Sequence, residues 1–333
     1  MQIHILLIRI MYRQIGSLSM KLGLYRYDLP LIKALPNCDD AMVRSGLIIR
    51  RYDGWGEICP LPYHSLETIE EAQSEALRYL QALNNNEKFE PTLPSVQFGV
   101  DCMNEHLSYD ISFYSRFSKT YRILLGTPKQ IMYEWFQLLG DYPNVAKLIV
   151  GNYSLRDELR LIKEICKKAP DIKLILDASM KWTREEACTI INHLPKENIL
   201  YIEDMCNNLE DVKVIAENTG IPVGIDKLLH YYTFDQWRKL PNLTVVIKPS
   251  LVGGFSKIHE LVKLCSPLNI KTVLETAMES QLGNYNLQIL GQRNRCYTVY
   301  GVDCERYFKY NIFKPGTAEV DRKLLTVIWE SDD

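Results

Sequence analysis

Between Lys147 and Glu275 short apolar runs recur, and most end on a charged residue: Lys147-Leu-Ile-Val150, Leu174-Ile-Leu-Asp177, Leu200-Tyr-Ile-Glu203, Val223-Gly-Ile-Asp226, Val245-Val-Ile-Lys248 and Thr272-Val-Leu-Glu275. Runs of four or five Val, Ile and Leu residues are the signature of strands buried on both faces, as in a parallel sheet. The charged ends lie 26 (177 to 203), 23 (203 to 226), 22 (226 to 248) and 27 (248 to 275) residues apart. That interval holds a strand, a loop and a helix of about a dozen residues, so each step is one β/α unit. The intervening segments agree. Leu155, Leu159, Ile162 and Ile165 form a helical stripe that stops before Pro170, and Thr183-Arg-Glu-Glu186 is a capping-box pattern. Asn208 to Asn218 and Ser256 to Cys265 are expected to be helical as well. Tyr121 to Leu125 and Tyr297 to Tyr300 add a strand at either end. Eight alternating units close into a (β/α) barrel, whose functional residues gather at the C-terminal strand ends. Asp177, Glu203, Asp226, Lys248 and Glu275 all sit there.

The rest of the chain predicts a smaller α+β layer. Lys21 to Leu29, Arg44 to Tyr52 and Trp55 to Ile58 are strands, with an Asp53-Gly54 turn expected between the last two. Helices are expected from Ser65 to about Leu83 and from Pro94 to Leu107, and short β pieces over Tyr307 to Phe313 and Leu324 to Trp329 are expected to return to this layer. The resulting division is an upstream extension over 1–19, a capping domain over 20–118, the barrel over 119–302 and a returning segment over 303–333. A formal charge of −2 with interspersed signs gives no footprint for nucleic acid. Ile3 to Met11 is interrupted by His4 and Arg9 and is far shorter than the ~20 residues of a membrane span. Nine scattered cysteines without a CxxC pair predict free thiols and a cytoplasmic protein.

Asp177, Glu203 and Asp226 come from three consecutive strands. Because adjacent strands lie ~4.8 Å apart, such carboxylates can converge on one cation, and a hard, oxygen-seeking ion such as Mg²⁺ suits them. Acidic residues at strand ends also cap following helices, which is the competing use. Lys147 lies early in the second strand and Lys248 ends the sixth, on the far side of the carboxylates. A buried lysine can act as a base or as a fixed positive charge. Gly253-Gly254 is expected to be a tight loop. HExxH, GxSxG, P-loop and GxGxxG motifs are absent from the sequence.

Asp-Gly-Trp-Gly-Glu-Ile-Cys-Pro-Leu-Pro (53–62), Leu-Pro-Ser-Val-Gln-Phe-Gly-Val (93–100), the Asp177/Glu203/Asp226 series, Val-Ile-Lys-Pro (246–249) and Glu-Ser-Gln-Leu-Gly (279–283) together resemble the o-succinylbenzoate synthases of the enolase superfamily. The resemblance implies a (β/α)7β TIM-like barrel under an α+β capping domain built from both termini. It also implies a carbon–oxygen lyase of menaquinone biosynthesis acting on a small-molecule carboxylate, with Mg²⁺ held by Asp177, Glu203 and Asp226. A second-strand lysine removes a proton next to the carboxylate and assists loss of water, while a sixth-strand lysine, here Lys248, faces it. Thr276 and Ser280 fall where the substrate is bound. Several positions depart from the family pattern. The second-strand Lys-x-Lys is Lys147-Leu148-Ile149, so Ile149 stands where the acid/base lysine belongs and Lys147 lies one layer deeper. Asp226 is followed by Lys227, and Glu275 brings a negative charge that is expected to oppose a dianionic substrate. Three readings follow: a synthase whose base is Lys147 or Lys248, a superfamily enzyme with another carboxylate substrate, or a barrel that binds without reacting.

Overall fold

The computed structural model describes residues 21–105, 121–293, 297–301, 304–317 and 319–332. The extension expected over residues 1–19 and the expected helix end at His106 and Leu107 lie outside them. β1 (Leu22–Pro30), β2 (Val43–Arg51) and β3 (Gly54–Ile58) form an antiparallel meander. Arg51 pairs with Gly54, so the two-residue turn is Tyr52-Asp53, with Tyr52 at φ 53°, rather than Asp53-Gly54. This register keeps Leu47 opposite Ile58 and Ile49 on the face that packs under the cap helices, and Ile48 on the other, equally buried face; a slip of one residue would exchange the two sets.

α1 (Ile69–Asn84) begins later than expected. Thr68 and Glu71 make the capping box, with Glu71 N donating to Thr68 Oγ1 at 3.2 Å and Thr68 N to Glu71 Oε2 at 2.8 Å. The Ser65 hydroxyl instead accepts the Leu61 amide at 2.8 Å. α2 (Pro94–Asn104) then crosses β3 so closely that only glycine fits: a Cβ on Gly56 would lie 1.9 Å from the Gly99 carbonyl oxygen. Backbone meets backbone there, and α2 links cap to barrel, since its Asp101 carboxylate accepts the Phe255 amide at 2.7 Å.

The barrel follows as β4 (Arg122–Leu124), α3 (Pro128–Gln137), β5 (Val145–Ile149), α4 (Leu155–Lys168), β6 (Lys173–Asp177), α5 (Arg184–Ile191), β7 (Ile199–Glu203), α6 (Leu209–Thr219), β8 (Val223–Ile225), α7 (Phe234–Trp237), β9 (Leu243–Ile247), α8 (Pro249–Val252), α9 (Phe255–Cys265), β10 (Lys271–Glu275), α10 (Gln281–Arg293) and β11 (Tyr297–Gly301). The eight strands are parallel and neighbours in sequence order. Alternation sorts their side chains. Leu148, Leu176, Ile202, Ile225, Val245 and Leu274 pack outward beneath the helices, while Ile123, Ile175, Tyr201, Val246 and Val273 fill the interior. Gly224 makes room for that filling, since a Cβ there would stand 2.5 Å from the Tyr201 ring.

After β11 the chain returns through 3₁₀ turns and isolated bridges (Leu31 with Phe308, Phe313 with Val320) rather than through a strand over 307–313. β12 (Thr326–Glu330) then pairs antiparallel with β1, completing a four-stranded sheet in the order β12-β1-β2-β3. Among the described residues every cysteine is a free thiol, and no helix is long and apolar enough to cross a membrane.

Candidate active site

The strand register sets two levels in the barrel mouth. Ile149 pairs with Asp177 and Asp177 with Glu203, forming the upper level; Lys147, Ile175 and Tyr201 form the one beneath. Lys147, 2% exposed, extends upward from the lower level. Its Nζ lies 2.9 Å from both Glu203 oxygens, 2.7 and 2.9 Å from those of Glu275, and 3.1 Å from Asp177 Oδ2. Lys248 enters just past β9 from the opposite wall, with Nζ 2.5 Å from Asp226 Oδ2, 3.6 Å from Glu275 Oε2 and 3.9 Å from Glu203 Oε1. Asp177, Glu203, Asp226, Lys147 and Lys248 are therefore brought together, and Glu275 joins them. The expected repulsion from Glu275 is offset by Lys147.

Four buried carboxylates face two ammonium groups, leaving negative charge in excess. Burial opposes the charge on Lys147, but Asp177, Glu203 and Glu275 outweigh it and hold the ammonium well above its ordinary pKa. Lys248 is likewise held up, mainly by Asp226 and Glu275 acting against burial. At Asp177, burial pushes upward, yet Lys147, Lys248 and the Ser179 hydroxyl pull its pKa below the carboxylate range. The excess falls on Glu203. Burial drives its pKa well up, and Asp177 and Glu275 add to this against the pull of Lys147. A site in this state has a deficit of positive charge and oxygen donors to receive it, so the donor set fits a hard divalent cation.

The donor oxygens are not arranged as the sequence suggests at first sight. Glu203, Asp204 and Asp226 offer oxygens within 4.8 Å of one another, while Asp177 is turned onto Lys147 and Ser179. Asp204 has another use. Its oxygens accept the amides of Asp226, Lys227 and Leu228 at 3.2, 2.7 and 3.4 Å, pinning the turn after β8. Burial and the charges of Asp226 and Asp177 push its pKa up to about 7.

The capping domain grips the loop after β10. Arg44, 1% exposed on β2, donates to the Ala277 and Met278 carbonyls at 3.1 and 2.9 Å and to Cys59 and Pro60 on its own side. Glu57 on β3 accepts from Ser280 N at 2.8 Å, Ser280 Oγ at 2.5 Å and Gly283 N at 2.7 Å. Ser280 thus faces the joint between the domains and is absent from the cavity wall, whereas Thr276 lines the cavity and donates its hydroxyl to Glu279 Oε2 at 2.6 Å. Sequence reasoning missed Arg44, Glu57 and Asp204. The available signal was a charged residue at a core position of a strand or strand end, most visibly Glu57 within Trp-Gly-Glu-Ile-Cys. Pro36, Asn37, Leu61 and His64 of the cap close the cavity over Ile149, Lys227 and the carboxylates. Burial, with Lys227 and Lys248 nearby, lowers the His64 pKa to about 4.

Comparison with known proteins adds three findings. Residues 19–107 match the family described as MenC, N-terminal domain, and residues 138–326 match Enolase C-terminal domain-like. The chain is 30% identical over 323 residues to the o-succinylbenzoate synthase of Pectobacterium atrosepticum, covering 92% of this chain and 98% of that one. Among solved structures, it resembles the L-Ala-D/L-Glu epimerase from Bacillus subtilis with a TM-score of 0.73 at 17% identity, covering 88% and 92% of the two chains. It also resembles the o-succinylbenzoate synthase from Thermosynechococcus elongatus BP-1, complexed with Mg in its active site, with a TM-score of 0.68 at 21% identity, covering 87% and 95%. At such identities the structural likenesses establish the fold alone.

Proposed function

This chain belongs to the o-succinylbenzoate synthase family, and on that premise we propose that it is a carbon–oxygen lyase of menaquinone biosynthesis, with Lys248 as its acid/base. The observation that carries the proposal is the meeting of Asp177, Glu203, Asp226 and Lys248 at one end of the barrel, under a cap that covers them. Asp177, Glu203 and Asp226 are the residues that would hold Mg²⁺. When bound, the cation supplies positive charge where a substrate carboxylate gains electron density and competes with Lys248 for Asp226.

Ile149 cannot titrate, which leaves two lysines among the floor carboxylates, Lys147 and Lys248, while the third cavity lysine, Lys227, stands at the rim. Lys147 is the poorer base because three carboxylates surround its Nζ. Its work is to neutralise Glu275 and Glu203 so that an anionic substrate can approach. Lys248 has one close partner, Asp226, which holds its ammonium up in the absence of a cation and is itself one of the residues that would hold Mg²⁺, so the amine is freed to act as base once Asp226 holds the cation. As the free amine it takes the proton next to the substrate carboxylate, and the C–H electron pair moves into an enediolate. When the enediolate collapses to the new C=C bond, the departing hydroxyl takes that proton from the Lys248 ammonium and leaves as water. The amine is regenerated. Calorimetric titration of Mg²⁺ into the native protein and Asp226→Asn, beside turnover of the synthase substrate, tests this. Binding and Mg²⁺-dependent turnover that are both lost in Asp226→Asn are expected; Mg²⁺ binding that survives in the variant refutes the ligand assignment.

A further inference from the structure

We propose that Lys227 is the anchor for the second carboxylate of a dicarboxylate substrate, fixing which dianions this site accepts. The inference rests on the lyase reading above, and it deepens that reading by locating the distal end of the substrate.

The cavity has opposite charges on its floor and rim. Acidic side chains dominate the floor, and both floor lysines are engaged by them. At the rim stands Lys227, half-buried, immediately after Asp226 and lining the cavity. Its own amide is fixed by Asp204 Oδ2 at 2.7 Å, so the backbone from which the side chain departs is held in place. Its ammonium makes no ion pair or side-chain hydrogen bond with any described residue. The other basic groups near the rim are placed differently: Lys181 keeps its charge but is absent from the cavity wall. Lys181 Nζ donates to the side-chain carbonyls of Asn37, at 2.5 Å, and of Asn152. His64 is neutral around pH 7. Lys33, further out in the β1–β2 loop, is paired with Glu134 at 2.7 Å. Asn37, Leu61 and His64 of the cap share the cavity wall with Lys227, so the residue stands where the barrel end meets the capping loops.

Such a cation, left without a counter-ion inside a cavity, suits an anionic group brought by the ligand. A substrate carboxylate directed at the floor leaves its second carboxylate free to reach the rim, and Lys227 is the group there able to form a charge-assisted hydrogen bond with it.

The test is calorimetric binding, in Mg²⁺-containing buffer, of o-succinylbenzoate and of 2-butanoylbenzoate, which lacks the distal carboxylate. The native protein, Lys227→Gln and Lys227→Arg are compared, with thermal unfolding as a control for folding. Loss of one charge-assisted bond predicts that Lys227→Gln binds o-succinylbenzoate roughly 10- to 100-fold more weakly. Its affinity for 2-butanoylbenzoate should stay the same, and Lys227→Arg should keep most of the affinity for the dicarboxylate. Unchanged dicarboxylate binding in Lys227→Gln, equal loss of both ligands, or no binding of o-succinylbenzoate by the native protein overturns the inference. Because binding is read without turnover, a native protein that shows this pattern but forms no product refutes the lyase reading alone. Turnover with a silent Lys227→Gln refutes the anchor alone.

Discussion

Lys147→Met removes the cation beneath the active site while nearly preserving its volume, and the consequences follow from distances. Three carboxylates lie within 3.1 Å of Nζ, and all are buried. Deleting one partner of a buried pair costs about 3–5 kcal/mol because the remaining charge is left uncompensated. For a chain of this size, each kcal/mol moves Tm by about 2–4 °C, so a fall of roughly 6–20 °C is expected. The sign of the pH dependence is fixed by the raised pKa of Lys147. Its stabilisation is fully present below the unfolded lysine value of about 10.4 and is lost only as pH rises through the still higher folded value. Melts between about pH 6 and 9 should therefore show the full deficit. Adding Glu275→Gln removes the matching anion, and Lys147→Met/Glu275→Gln should recover at least ~1 kcal/mol relative to the sum of the single variants. Thermal melts by circular dichroism measure all four proteins. A Lys147→Met protein melting within about 2 °C of native, or single effects that simply add, refutes the view of Lys147 as the neutraliser of Glu275.

Two further outcomes follow from the cap. Glu134 binds Lys33 at 2.7 Å and also Arg306; burial raises its pKa, but these cations outweigh it and lower it. Its contribution is present above the unfolded carboxylate pKa and disappears as pH falls through the folded one, so Glu134→Gln should cost about 1–3 kcal/mol in urea melts near pH 7 and much less near pH 3. Gly56→Ala should cost at least ~3 kcal/mol or prevent the cap from docking, as its new methyl group would occupy the Gly99 carbonyl position; limited proteolysis between cap and barrel reads this out.

The barrel was legible because a buried parallel strand has little compositional freedom, and the charged residue ending each run marks where apolar filling gives way to solvent and chemistry. Lys147 could be placed one level below Ile149 by alternation alone. What its ammonium reaches could not. The partnership with Glu275 joins residues 128 positions apart across the barrel, and depends on how far the sheet curls. Read in sequence, Glu275 is a charge hostile to an anionic substrate; in three dimensions Lys147 answers it. Ser280 shows the same limit. The family resemblance implies a substrate contact for it, yet Glu57, 223 residues earlier, takes both its amide and its hydroxyl. The start of α1 differs from the expected one for a local reason: Ser65 and Thr68 are both capping residues, and the choice fell to the one with a glutamate three positions on.

Product formation from the cyclohexadiene substrate of o-succinylbenzoate synthase, followed with and without Mg²⁺ in the native protein, Lys248→Ala and Ile149→Lys, tests the central claim most directly. The account predicts Mg²⁺-dependent turnover by the native chain that falls by ~10²–10⁴ in Lys248→Ala. Turnover confined to Ile149→Lys, or native turnover that survives in Lys248→Ala, contradicts it.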